Sequence, residues 1–246
     1  MAVGEARLTT IVVQRLTEAL AAEGFAPSGP MDSLGTAGPT AENPSWVRIW
    51  FVGPDSGVSN MTSAVMATIQ RNGHGGVGIA ATAWIVSSAV EEVVRDWPAE
   101  ALAKGGWDRN YMESVEFGYF ERPLDPGEIS VGGEPGVDHA VREFMRLLKG
   151  PVADWFSQFD SPDKLLTAAR TSATQDDWDR ENPDPVLLRA AVVLSVLNGQ
   201  VEDAATLMEW YLSRDRFHQW DSLDRALSFD AAMIERFPVY ADARGR

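Results

Sequence analysis

The sequence predicts an α+β fold, an antiparallel meander covered by helices and followed by an α-helical C-terminal region. Three strand-like runs, Trp46 to Val52, Met61 to Gln70 and Val77 to Val86, follow one another with only turn chemistry between them. Segments of helical period lie on both sides of this stretch. The last third carries apolar residues at helical spacing and no convincing strand. These observations divide the chain into an α+β domain over 1–170 and a helical subdomain over 171–246 packed on it.

Glu5 to Ala22 reads as an amphipathic helix, with Leu8, Ile11, Val12, Leu16, Ala19 and Leu20 on one face. Gly24 supplies a left-handed C-cap, and Phe25 packs back on the helix. From Ala26 to Ser45 the chain is rich in Gly, Pro, Ser, Thr and Asn, which predicts a long loop with a short edge strand near Phe25. In the first central strand, Trp46, Arg48, Trp50 and Val52 share one face, and Val47, Ile49 and Phe51 share the other. Both faces are largely apolar, so a place inside a covered sheet is expected.

Gly53-Pro54-Asp55-Ser56-Gly57 is expected to turn the chain into Met61, and Asn72 to Gly76 into Val77. A helix capped by Ser87 or Ser88 runs on through Val90, Val93, Val94 and Trp97 to Pro98. Val115, Phe117 and Tyr119 alternate, which predicts a strand from Met112 to Glu121. A strand of a few residues follows at Ile129 to Val131. A helix from His139 to Lys149 ends at Gly150-Pro151, and a short one covers Val152 to Phe159. Ser161-Pro162 opens the next helix with an N-cap and a proline at its first position. Thr171 to Pro185 reads as an acidic loop. Three helices follow, at Val186 to Leu197, Glu202 to Leu212 and Gln219 to Phe237, the first two joined at Asn198-Gly199. That hairpin resembles one tetratricopeptide-like unit, but no second copy occurs at a fixed period.

Composition excludes several classes. The chain has no cysteine, hence no disulfide, thiolate metal site or cysteine nucleophile. Its formal charge of −15 opposes binding to nucleic acid, whose affinity comes largely from Lys and Arg neutralising phosphates. Such a surface favours basic partners, although acidity also serves solubility alone. No run approaches the roughly 18 uninterrupted apolar residues of a membrane span, and the first residues lack the features of a signal peptide. A cytoplasmic protein that binds no membrane is expected.

Gly73-His74-Gly75-Gly76-Val77-Gly78 satisfies the dinucleotide pattern G-x-G-x-x-G, with Asp96 about where a ribose-binding acid would stand, roughly 20 residues on. That pattern needs a helix after its glycines, and Ile79, Thr82, Trp84, Ile85 and Val86 favour a strand. A glycine-rich hairpin turn is the better reading. No P-loop or nucleophile elbow is present, since the serine of Gly53 to Gly57 stands one place too late. His74, His139 and His218 belong to no metal-ligand motif, and Asp138/His139/Glu143 and Asp215/His218 read as surface contacts. No catalytic, cofactor-binding or metal residue is therefore assigned, and no cofactor is expected. Glu91-Glu92 point to different helix faces and read as solvated. Two candidate partner-binding features remain. Trp46, Arg48 and Trp50 make an aromatic and cationic strand face, and Asp176, Asp177 and Asp179 make an acidic loop suited to a basic partner.

The order of Glu23-Gly24-Phe25, Trp46-Val47-Arg48-Ile49-Trp50, Thr68-Ile69-Gln70-Arg71 and the strand from Val77 resembles the DUF4304-like bacterial α+β domains, which are themselves similar to immunity proteins of polymorphic toxin systems. The strand near Val115 to Phe120, the helix to Leu148, Gly150-Pro151 and Ser161-Pro162 follow in the same order, so the likeness covers Arg7 to Ala169. The long Gly/Pro loop is a departure. The resemblance implies a non-enzymatic protein-binding module that occludes a basic partner such as a toxin, and it brings no catalytic residues. Two alternatives stand beside it, a hydrolase-type enzyme with a carboxylate site assembled on folding, and a structural or assembly protein of a phage or compartment.

Overall fold

A computed structural model describes residues 2–28, 46–72, 75–104, 111–122, 127–171 and 182–245, without the side chains of 2–5 and 111. The fold is α+β, with an antiparallel sheet of six strands, helices packed on it and a helical C-terminal region. The chain forms two compact units that interleave along the sequence. One comprises Met1–Pro54, Thr62–Ile85 and Ser114–Ser157, the other Asp55–Met61, Val86–Glu113 and Gln158–Arg246.

The first unit holds most of the sheet. Its strands are β1 (Ala26–Ser28), β2 (Trp46–Asp55), β3 (Thr62–Arg71), β4 (Val77–Val86), β5 (Tyr111–Glu116) and β6 (Ile129–Val131). The order β1-β2-β3-β4-β5 is that of a meander, and β6 pairs antiparallel with β4 through Val77↔Val131 and Ile79↔Ile129. Helices α1 (Ala2–Ala22) and α3 (Val137–Leu147) pack on each other, α1 reaching β3 and α3 reaching β6. They bury Leu8, Val12, Leu16, Leu20, Phe144 and Leu147 together with Phe51, Val65, Ile69 and Ile79 of the sheet. Helix α1 ends where expected, because Gly24 adopts φ +84 and the Phe25 amide donates to the Leu20 carbonyl at 3.0 Å.

Two boundaries in this unit differ from expectation. Strand β2 runs through Gly53 and Pro54 to Asp55. β1 pairs only with Trp50 to Val52, so a proline amide farther along the same edge has no ladder bond to lose. A side chain at Gly53 would stand 2.5 Å from Ser63 Oγ, so glycine there permits close packing. Strand β5 stops at Glu116, and Phe117–Phe120 wind into a 3-10 turn closed by the Glu121 amide on the Gly118 carbonyl at 2.9 Å. Phe117 thereby meets Phe144 with ring centroids 5.0 Å apart, a tertiary contact that alternation cannot anticipate. At Gly150-Pro151 the helix breaks as expected, since Gly150 takes the non-helical φ −101 and ψ −107, and beyond this kink the chain enters α4 (Ala153–Phe156).

Among the described residues, the second unit is helical apart from turns and the strand residues Asp55, Val86 and 111–113. It contains α2 (Ser88–Val94), α5 (Pro162–Ala168), α6 (Pro185–Leu197), α7 (Val201–Leu212), α8 (Leu223–Arg236) and α9 (Pro238–Ala243). The caps are those the sequence proposes, with Ser87 accepting from the Val90 amide and Ser161 from the Lys164 amide. Helix α6 is buried on every side from Pro185 to Val196, as its lack of a polar stripe requires. Gly199 at φ +79 closes α6 and permits the turn into α7. The turn expected at residues 53–57 lies in this unit instead, over Ser56 to Met61. The Ser56 hydroxyl there accepts from the Val58 amide, and Asn60 takes φ +65. The helix expected from Gln219 to Phe237 is α8, which begins later, at Leu223, and the short helix α9 follows beyond Phe237. Ser222, extended at φ −161, caps α8 at its start, and Phe237 is extended before Pro238 opens α9.

Candidate functional site

One face of the sheet is packed and the other is half open, which β3 records residue by residue. Val65, Ala67 and Ile69 are buried, whereas Met66 and Thr68 are half-buried and Gln70 is exposed. Strand alternation places Trp46, Arg48 and Trp50 of β2 on the open side. The same alternation in β4 brings Thr82 and Trp84 to them, and Trp84 meets Trp50 with ring centroids 5.7 Å apart at 52°. Thr82 Oγ1 donates to Glu116 Oε2 at 3.0 Å, which fixes β5 beside β4 on this face. Glu128 lies over Gly78, and its Oε2 takes a bond from Gln70 Nε2 at 2.5 Å. The expectation that β2 lies inside a sheet covered on both sides is thus not met from Trp46 to Ile49, which are all half-buried.

Trp46, Arg48 and Trp50 are brought together as expected. The Arg48 guanidinium stands over the Trp46 ring at 4.8 Å from its centroid, a cation–π contact between residues i and i+2 of one strand face. Neither Arg48 Nε nor Trp50 Nε1 has a hydrogen-bond acceptor among the described residues, although Trp50 is only 2% exposed. A buried donor without an acceptor costs about 1–3 kcal/mol. Trp84, Met66 and Thr82 were missing from the sequence-derived site. Period-two alternation through the hairpin from β3 to β4 carries the signal that adds them, once the register is known.

The remaining sequence candidates separate. Asp176, Asp177 and Asp179 lie outside the described residues, as do Gly73 and His74. At the glycine cluster, the Asn72 amide donates to the Gly76 carbonyl at 3.2 Å, Gly75 takes φ +86, and β4 begins at Val77. The glycines therefore serve a hairpin, with a strand where a nucleotide fingerprint needs a helix. Among the described residues, no three His, Cys, Asp or Glu converge to hold a metal ion. Asp138 faces Arg15 at 4.0 Å, and Glu143 accepts from Arg146 Nε at 2.9 Å, which holds the Glu143 carboxyl below its ordinary value.

His218 is fully buried in the second unit. Its Nδ1 accepts from the Trp220 amide at 3.2 Å, and its carbonyl accepts from the Asp221 amide at 2.8 Å. This turn aims Asp221 inward, where its carboxylate receives Arg189 Nη1 at 2.7 Å, Arg189 Nη2 at 2.8 Å and the Tyr211 hydroxyl at 2.5 Å. Arg189 also donates to the carbonyls of Ala101 and Pro185 and lies 5.3 Å from the Phe229 ring centroid. Burial, then the Asp221 charge and hydrogen bond, push the Tyr211 phenol far above its ordinary value. Both charged side chains of the pair are fully enclosed, so the cluster ties α6, α7 and the turn before α8 together. A second cluster joins α9 to α8, with Tyr240 donating to Asp230 at 2.7 Å and Arg244 to the same carboxylate at 3.2 Å. Neither cluster was legible in the sequence, because its members lie in different elements and no local pattern pairs them.

Among known proteins, the chain matches no family model, no curated protein and no solved structure. The α+β class rests on its own strand order and helices, and among the described residues no helix is long and apolar enough to cross a membrane.

Proposed function

We propose that the protein is a non-enzymatic protein-binding module that engages its partner through the half-open sheet face around Trp46, Arg48, Trp50 and Trp84. The observation that carries this reading is the half-buried Trp46–Arg48 cation–π pair, set beside Trp50 and Trp84 on the less covered side of the sheet. Tryptophan and arginine are the residue types enriched where protein interfaces concentrate their binding energy. A rigid strand holds them in place before any partner arrives, which lowers the entropic cost of binding. The formal charge of −15 supports a basic partner, whose approach such a surface accelerates. An immunity-like role, in which the module occludes a basic toxin, agrees with both features and with the resemblance described above.

The test is retention of partner proteins from the native host on the immobilised chain, compared with a Trp46→Ala/Arg48→Glu variant. A protein held by the parent at low salt, lost at high salt and lost from the variant is the expected result. Identical retention by the two chains, or none by the parent, overturns the reading.

A further inference from the structure

Helix α2, the turn that follows it and helix α8, all within the second unit, border a cavity of about 410 Å³. Ligand sites commonly span about 300–1,000 Å³. Glu92, Asp96 and Glu235 line it with Arg236, and Trp97 and Pro98 contribute apolar surface. The walls are fixed. Arg225 Nη1 donates to the Ala99 carbonyl at 2.9 Å and the Leu102 carbonyl at 2.5 Å, tying the segment after Trp97 to α8. Trp97 packs edge-on against buried Phe229, with centroids 5.5 Å apart at 67°.

The charge on this cavity is uncompensated. Among the described residues, the side chains of Glu92, Asp96, Glu235 and Arg236 make no ion pair or hydrogen bond, which leaves three carboxylates and one guanidinium on the lining. Acidic side chains on an open surface are ordinarily solvated and mean little. Here they rim a concavity with an indole in its wall, and such a cleft focuses the field and offers a π surface to a cation. A planar guanidinium suits both, since it can bond a carboxylate with two donors and stack on an aromatic ring.

We propose that this cavity receives an arginine side chain of the partner protein. The inference rests on the reading that the partner is basic, and it adds the second unit as a place where one basic residue is recognised. The full chain is titrated at low salt with acetyl-Gly-Arg-Gly-amide and with its neutral citrulline counterpart, followed by NMR. The same titrations are made on a Glu92→Gln/Asp96→Asn/Glu235→Gln variant, whose substitutions lie on exposed side chains and preserve their shape. The arginine peptide should bind the parent with the Trp97 indole signal shifting. Affinity should fall about tenfold or more both for citrulline and in the variant. Equal affinity for the two peptides, undiminished binding by the variant, or no binding by the parent at millimolar peptide overturns the proposal. The two readings fail separately. A partner lost on changing Trp46 and Arg48 but kept by the carboxamide variant refutes the arginine pocket alone, while absence of any partner refutes the parent reading.

Discussion

Replacing Asp221 by asparagine removes one charge from an enclosed pair and leaves the Arg189 guanidinium with neutral acceptors alone, the remaining side-chain oxygen and the Ala101 and Pro185 carbonyls at 3.3 and 3.2 Å. The substituted amide keeps the shape of the carboxylate but turns a donor toward Arg189 or Tyr211, whose own donors stand 2.5 to 2.8 Å from the oxygens they now use. Breaking a buried ion pair by removing one partner costs about 3–5 kcal/mol. In a chain of this length, each kcal/mol lowers the melting temperature by roughly 2–4 °C, so a fall of about 6–20 °C follows. Thermal and urea unfolding followed by circular dichroism and by tryptophan fluorescence measure it. Should the two units unfold in separate steps, the loss belongs to the step of the helical unit. Arg189→Met added to Asp221→Asn should recover part of the loss, because no buried charge then lacks its counter-ion. A single variant destabilised by less than about 1 kcal/mol, or a double variant as unstable as the sum of its parts, refutes the reasoning.

Stability should also fall in alkali. The Tyr211 phenol is raised in the folded state, so its contribution is complete below the unfolded value of about 10 and is lost as pH climbs beyond it. Tyr211→Phe should flatten that alkaline decline while costing about 1.5–3 kcal/mol at neutral pH, the worth of a hydrogen bond to a charged group; an unchanged alkaline slope would count against this account. Two glycines should differ sharply on replacement by alanine. A side chain at Gly57 would meet the Asp160 backbone oxygen at 1.9 Å, so unfolding should show a loss of about 1–3 kcal/mol. At Gly78 the obstacle is the exposed Glu128 side chain, which can swing aside, and urea midpoints should barely move. On the open sheet face, Trp50→Ala should lower stability by about 3–5 kcal/mol because the ring is enclosed. Half-buried Trp46→Ala should reduce partner capture with a smaller loss of stability, and equal destabilisation by the two would remove the distinction between them.

How far the sequence reached depended on the range of the interaction responsible. Leu8, Val12, Leu16 and Leu20 declare their helix because its period is local, and Gly24 declares its end because only glycine takes φ +84 without strain. Trp46, Arg48 and Trp50 were identified as neighbours because alternation in a strand is equally local. Phe117 escaped the same rule, since its partner Phe144 lies in another helix and that contact outweighs β propensity. Gly150-Pro151 read as a stop for an equally local reason, and the helix breaks there, with Gly150 at the non-helical φ −101 and ψ −107.

The sequence by itself determined the α+β class, the meander order, the caps at Ser87, Ser161 and Gly24, and the strand face bearing Trp46, Arg48 and Trp50. Periodicity and turn chemistry are properties of adjacent residues, so they can be read without the fold. The tertiary structure alone decided that Trp84 joins that face, that Arg189 finds Asp221 and Tyr211, and that Glu92, Asp96 and Glu235 border one cavity beside Trp97. Those pairings join residues distant along the chain, and they exist only once burial and strand register have brought the elements together.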